Sequence, residues 1–174
     1  MEFEFKLTYK FSDNQTDTDQ LMTKLGEEGC TDALVGLGVG GQIGLEFIRE
    51  ASTAEEAILS AIEDVKRALP HATLIEAGPD FVGLTDVAEL VGFTRQNIRK
   101  LWLNNEVAFP APVHAGASSV WHLAQVLQFL NEKQYSPAQG VHEVARVTMT
   151  LNIARQKSMV NDAELQEMQR LVAF

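Results

Sequence analysis

Cysteine occurs once, at Cys30, in a chain of 174 residues, and that single thiol excludes a disulfide framework or a cysteine-built zinc site. No run of about 18 apolar residues is present to cross a bilayer. Met1-Glu2-Phe3-Glu4 lacks the basic start and apolar stretch of a secretion signal. A cytoplasmic protein with no membrane partner is therefore expected. Histidine is sparse: His71, His114, His122 and His142 show no metal-ligand spacing, and neither a serine nor Cys30 sits in a nucleophile pattern. Asp13, Asp17, Asp19, Glu27 and Glu28 lack the spacing of a calcium loop and read as a solvated acidic surface. No catalytic residue, metal or cofactor is expected, and the chain reads as a binding protein rather than an enzyme.

What the chain does have is acid, placed unevenly. Its net charge is −10, yet residues 1–80 hold 6 Lys and Arg against 16 Asp and Glu, while residues 81–174 hold 8 of each. The first half would be repelled by phosphate and the second need not be, which suggests modules with different work. At 45% hydrophobic residues the chain can bury a real core.

Phe3, Phe5, Leu7, Tyr9 and Phe11 alternate with polar neighbours, the period of a half-buried strand. Asp17 or Thr18 can cap a helix running to about Leu25, with Gly26 and Gly29 as its stop. Ala33 to Gly36 and Gln42 to Arg49 read as a hairpin whose Ile43, Leu45 and Phe47 share one face. Ser52 with Glu55 reads as a capping box, opening a helix whose buried stripe runs from Ala54 to Leu69 and ends before Pro70. Ala72 to Ala77 reads as a last strand. Strand, helix, strand, strand, helix, strand is the order of a ferredoxin-like α+β sandwich, expected over residues 1–78. Gly78-Pro79-Asp80 is turn chemistry and reads as a short linker.

Leu84 to Leu101 reads as two short helices about Gly92. Thr85 would cap the first, whose Val87, Ala88 and Val91 face inward, and Thr94 the second, whose Ile98 and Leu101 are its buried face. Gly92 can take the positive φ of the turn, with Phe93 as its anchor. Further on, Phe109-Pro110-Ala111-Pro112-Val113 and Ala115-Gly116-Ala117 suit a hairpin, and Trp121, Val126 and Phe129 suit the small core beneath it.

The spacing of Ala88, Gly92 and Ile98 resembles the helix-turn-helix family, and residues 84–130 together resemble the AlpA and excisionase-type regulators related to the MerR family. The resemblance implies a winged helix-turn-helix within residues 81–132 whose second helix enters the major groove of double-stranded DNA. On that reading Arg95, Gln96, Asn97, Arg99 and Lys100 meet bases and phosphates, and Thr94 offers a hydroxyl or helix-end amides to the backbone. The wing departs from the family habit. It carries no Lys or Arg, only His114, Ser118 and Ser119 as polar side chains, so phosphate affinity per protomer is expected to be low and pairing of protomers to be needed.

Residues 136–174 read as helical, from Pro137 through a segment whose Val141, Val144, Val147, Thr148, Leu151 and Ile153 almost encircle the axis. A helix capped by Asn161 or Asp162 follows, with Leu165, Met168, Leu171 and Val172 on one stripe. Either intrachain packing or a homodimer interface suits these helices.

Gly36-Leu37-Gly38-Val39-Gly40-Gly41 contains the glycine spacing of a dinucleotide site, but an alternating segment with Gly44 follows where a helix is required, so a hairpin tip is expected. The expected role is therefore a nucleoid-associated transcriptional regulator, with the acidic module binding a protein partner or effector. An antitoxin that neutralises a basic toxin and represses its own operon, an excision factor, or a polar helix that meets protein instead of DNA are the alternatives.

Overall fold

The computed structural model describes residues 1–11, 17–135 and 140–172; Asp13 and the expected helix start at Pro137 lie outside them. In chain order the elements are β1 (Glu2–Phe11), α1 (Thr18–Glu27), β2 (Ala33–Leu37), β3 (Gln42–Glu50), α2 (Ala54–Ala68), β4 (Ala72–Gly78) and β5 (Phe81–Val82). They continue with α3 (Leu84–Val91), α4 (Arg95–Asn104), β6 (Trp121–His122), α5 (Leu123–Glu132), α6 (Val141–Lys157) and α7 (Asp162–Val172). The protein is mixed α+β, and no described helix is long and apolar enough to cross a membrane.

The alternation in β1 does what a period of two must do. Phe3, Phe5, Leu7 and Tyr9 are buried on one face, while Glu2, Glu4, Lys6 and Lys10 are exposed on the other. Antiparallel pairing sets these residues opposite Arg49, Phe47, Leu45 and Ile43 of β3, so both strands bury the same face. The sheet order is β2-β3-β1-β4, all neighbours antiparallel. The glycine-rich segment after β2 is a hairpin tip, with Gly40 and Gly41 at φ 69° and 73°, as the absence of a following helix implied.

Helices α1 and α2 cover the apolar face, with Leu21 and Leu25 of α1 and Ala57, Ile58, Ala61 and Val65 of α2 in the core. Asp17 caps α1, its side chain accepting from the Asp19 amide. The start of α2 corrects the expected capping box by one residue. Thr53, not Ser52, is the N-cap; its hydroxyl accepts from the Glu56 amide while the Glu56 carboxylate accepts from the Ser52 amide, each at 3.1 Å.

At the end of β3, Arg49 occupies an inward position where an aliphatic residue would continue the pattern. Its guanidinium donates to both Asp32 oxygens at 2.7 and 3.0 Å, to Asp64 at 2.7 Å, to Ser60 at 3.1 Å and to the Gly29 carbonyl at 3.3 Å. The Asp32 carboxylate, and with it Asp64, holds the guanidinium above its ordinary pKa against the burial that opposes charge. This cluster ties the loop after α1 to β3 and α2.

Beside it Cys30 is buried, and burial first, then the nearby Asp64 charge, push its thiol up to about 11. An unfolded thiol titrates near its ordinary value of 9.0, so the unfolded state loses this proton first. Stability should be independent of Cys30 below that pH and fall as pH rises through the interval to about 11. Urea melts of the protein and of Cys30→Ser test this: the alkaline slope between those values should be smaller in the variant.

Helix α6 is covered on two sides, as its apolar residues require, and departs from the expected set only at Ile153, which is exposed: Val144, Val147 and Leu151 join the sheet core, while Val141, Ala145 and Met149 join the core under α3 to α5. The helix is therefore bound within its own chain, joining the two cores. By contrast α7, capped by Asn161, buries none of its residues.

Candidate nucleic-acid interface

A second core gathers residues between Val82 and Leu130 together with Ala145 of α6. Helix α3 is capped two residues earlier than expected: Gly83 is the N-cap, the Asp86 carboxylate accepts from the Gly83 amide at 2.7 Å, and Thr85 lies exposed within the first turn. Val87 and Ala88 are buried, and small Ala88 suits the close crossing of α4. Gly92 terminates α3 at φ 70°, the left-handed conformation expected of it, and the Phe93 amide bonds back to the Ala88 carbonyl at 2.8 Å. Phe93 then meets Tyr135 edge-on, centroids 5.2 Å apart.

Thr94 caps α4, its hydroxyl accepting from the Asn97 amide at 3.2 Å. Ile98 is fully buried, whereas Leu101 is only partly so. Beneath them the core is aromatic. Trp121 meets Trp102 and Phe109 edge-on at 5.2 and 5.9 Å, and its indole N–H donates to the Pro110 carbonyl at 3.0 Å. Trp121, Val126 and Phe129 thus fill the position expected of them.

The opposite side of α4 is open. Arg95, Gln96, Asn97, Arg99 and Lys100 are all exposed, and none of the three cations pairs with a carboxylate among the described residues. From Leu90 to Asn131 the sequence holds one carboxylate, Glu106, against three cations, all on α4. A chain of net charge −10 therefore presents a locally cationic helix, whose first turn carries no acid to oppose an anion at its amide end.

The other expected contact residues sit on a separate piece. Residues 113–120 form a minimal hairpin in which His114 and Val120 are bridged, the Val120 amide donating to the His114 carbonyl at 3.0 Å. His114 and Ser118 are exposed on it and Ser119 is half-buried.

A polar joint was not legible as such in the sequence. Asp80, within the stretch that reads as a linker, has a fully buried side chain; one oxygen meets His122 Nδ1 and the other accepts from Asn152 Nδ2. Asn152 also accepts from the Ala77 amide at 2.9 Å and donates to the Ala77 carbonyl at 2.8 Å, so an α6 side chain takes the place of a further strand along β4. Thr148 donates to the Pro79 carbonyl at 2.7 Å. A histidine paired with a carboxylate can serve acid–base chemistry, but here both Asp80 oxygens are occupied and the pair is enclosed, so the geometry is that of a clasp. The signal available was an asparagine and a threonine amid the valines of α6. Asn152→Ala leaves the Ala77 amide and carbonyl without partners and should cost about 2 kcal/mol, read from urea melts.

Neither a family model, a curated protein nor a solved structure matches this chain.

Proposed function

We propose that this protein is a sequence-selective, DNA-binding transcriptional regulator. In this reading residues 81–132 are a winged helix-turn-helix of the AlpA and excisionase type and residues 1–78 a ferredoxin-like module that recruits a protein partner. The sheet order and the βαββαβ succession support the second assignment. The observation that carries the first is α4 itself: buried on Ile98, turned by Gly92, and exposing three unpaired cations with two amide side chains on one short cylinder.

Arg95 and Arg99 have the fork that pairs with guanine O6 and N7, Gln96 and Asn97 suit adenine, and Lys100 suits phosphate. The protein would act by occupancy in the nucleoid of a cytoplasm, not by catalysis. The exposed stripe of α7, with Met168, Leu171 and Val172, is the surface by which protomers would pair, since α6 is already covered.

Selection of a site from random duplexes, followed by gel shift with Arg95→Ala/Arg99→Ala, tests the reading. Loss of the shift with unchanged circular dichroism supports it, and an unchanged shift overturns it. With Lys100 as the phosphate contact of each protomer, log Kd against log salt should have a slope of magnitude about 1, and about 2 for a pair.

A further inference from the structure

Between the exposed face of the sheet and α3 lies an open groove of about 700 Å³ whose wall is mainly apolar. Leu34 of β2 and Ile48 of β3 form its floor and are 71% and 55% exposed, while Leu90 and Val141 close the other side. Around this apolar floor stand Glu4 of β1, Glu76 of β4 and Glu89 of α3, all exposed and none paired with a cation among the described residues. The one cation on the wall, Lys6, is held by Glu46 at 2.9 Å.

We infer that this groove seats a cationic amphipathic segment of a partner protein, its apolar side on Leu34 and Ile48 and its Lys or Arg side chains against Glu4, Glu76 and Glu89. The inference rests on the reading that the acidic module recruits a partner, and it names the place and the chemistry.

Three arguments select this occupant. Unpaired carboxylates around an apolar floor complement a segment that is both basic and apolar, and they repel DNA and the acidic α7 of a second copy. Small-ligand sites enclose most of their ligand, whereas an open trough leaves one side of its occupant free, as suits a segment that continues into a larger body. The groove also touches both modules, β1 to β4 on one side and α3 on the other, so its occupant is held beside the DNA-reading unit.

The probe is a short fluorescent peptide of lysine and leucine at helical spacing, titrated by anisotropy into the full chain. Glu4→Gln/Glu76→Gln/Glu89→Gln should weaken it about tenfold. Glu27→Gln/Glu55→Gln/Glu63→Gln, the same change of charge on exposed helix positions, should leave it within about twofold. Leu34→Ser/Ile48→Ser should also weaken it, and an all-lysine peptide should bind less well than the amphipathic one.

Equal loss in both glutamine triples, equal binding of the all-lysine peptide, or no binding overturns the inference. Binding of the lipophilic cation tetraphenylphosphonium without the peptide also overturns it, and assigns the groove to a small molecule. Gel shifts on the same proteins separate this from the parent reading: intact DNA binding with no peptide binding removes only the groove, and the converse removes only the DNA reader.

Discussion

Arg49→Met is expected to lower the free energy of unfolding by about 3 kcal/mol, and Arg49→Lys to recover little of it. The guanidinium makes five hydrogen bonds, two of them a fork onto Asp32, and no aliphatic or ammonium group can replace that geometry. Removing it leaves Asp32 without its fork and Asp64 with Arg67 alone, their side chains 28% and 17% exposed. Their partial contact with water places the cost at the lower end of what buried pairs lose when one partner is deleted. A fall in Tm of roughly 6–12 °C is the matching thermal result for a chain of this size. A loss below about 1 kcal/mol would reduce the cluster to screened surface pairs.

The second large effect is on affinity. Arg95→Ala/Arg99→Ala should weaken binding to a selected duplex by about 30-fold to 10⁴-fold, because each bidentate arginine contact with guanine contributes about 1–3 kcal/mol of discrimination. Both side chains are exposed and neither packs in the core, so the fold should be unchanged. Lys100→Ala offers the contrast. As a phosphate contact it should weaken all sequences alike and reduce the salt slope by about 1, without altering which bases are preferred.

Local pattern carried most of the architecture. The alternation of β1, the stripe of α2 and the Ala88, Gly92, Ile98 spacing each have one physical solution, and the chain adopts it. Boundaries shifted where two adjacent residues could both cap, as with Ser52 and Thr53, or where a carboxylate reached back to an earlier amide, as Asp86 does to Gly83. Long-range matters were hidden. Arg49 follows Ile48 as an ordinary polar residue at a strand end, and only the tertiary arrangement brings Asp32 and Asp64 to it. Asn152 and Ala77 are 75 positions apart, and nothing local distinguishes an asparagine that completes a sheet edge from one on a wet helix face. The groove likewise exists only because α3 stands over the sheet, so Leu34 and Glu89 belong to no common pattern in the sequence.

The most direct test is an amide NMR titration of the full chain with a selected duplex. If α4 lies against base edges, the largest shifts fall on residues 94–100, with smaller ones on the hairpin at His114, Ser118 and Ser119, and the sheet of residues 1–78 stays still. Shifts centred on that sheet, or an unperturbed α4 at saturating duplex, would contradict the account.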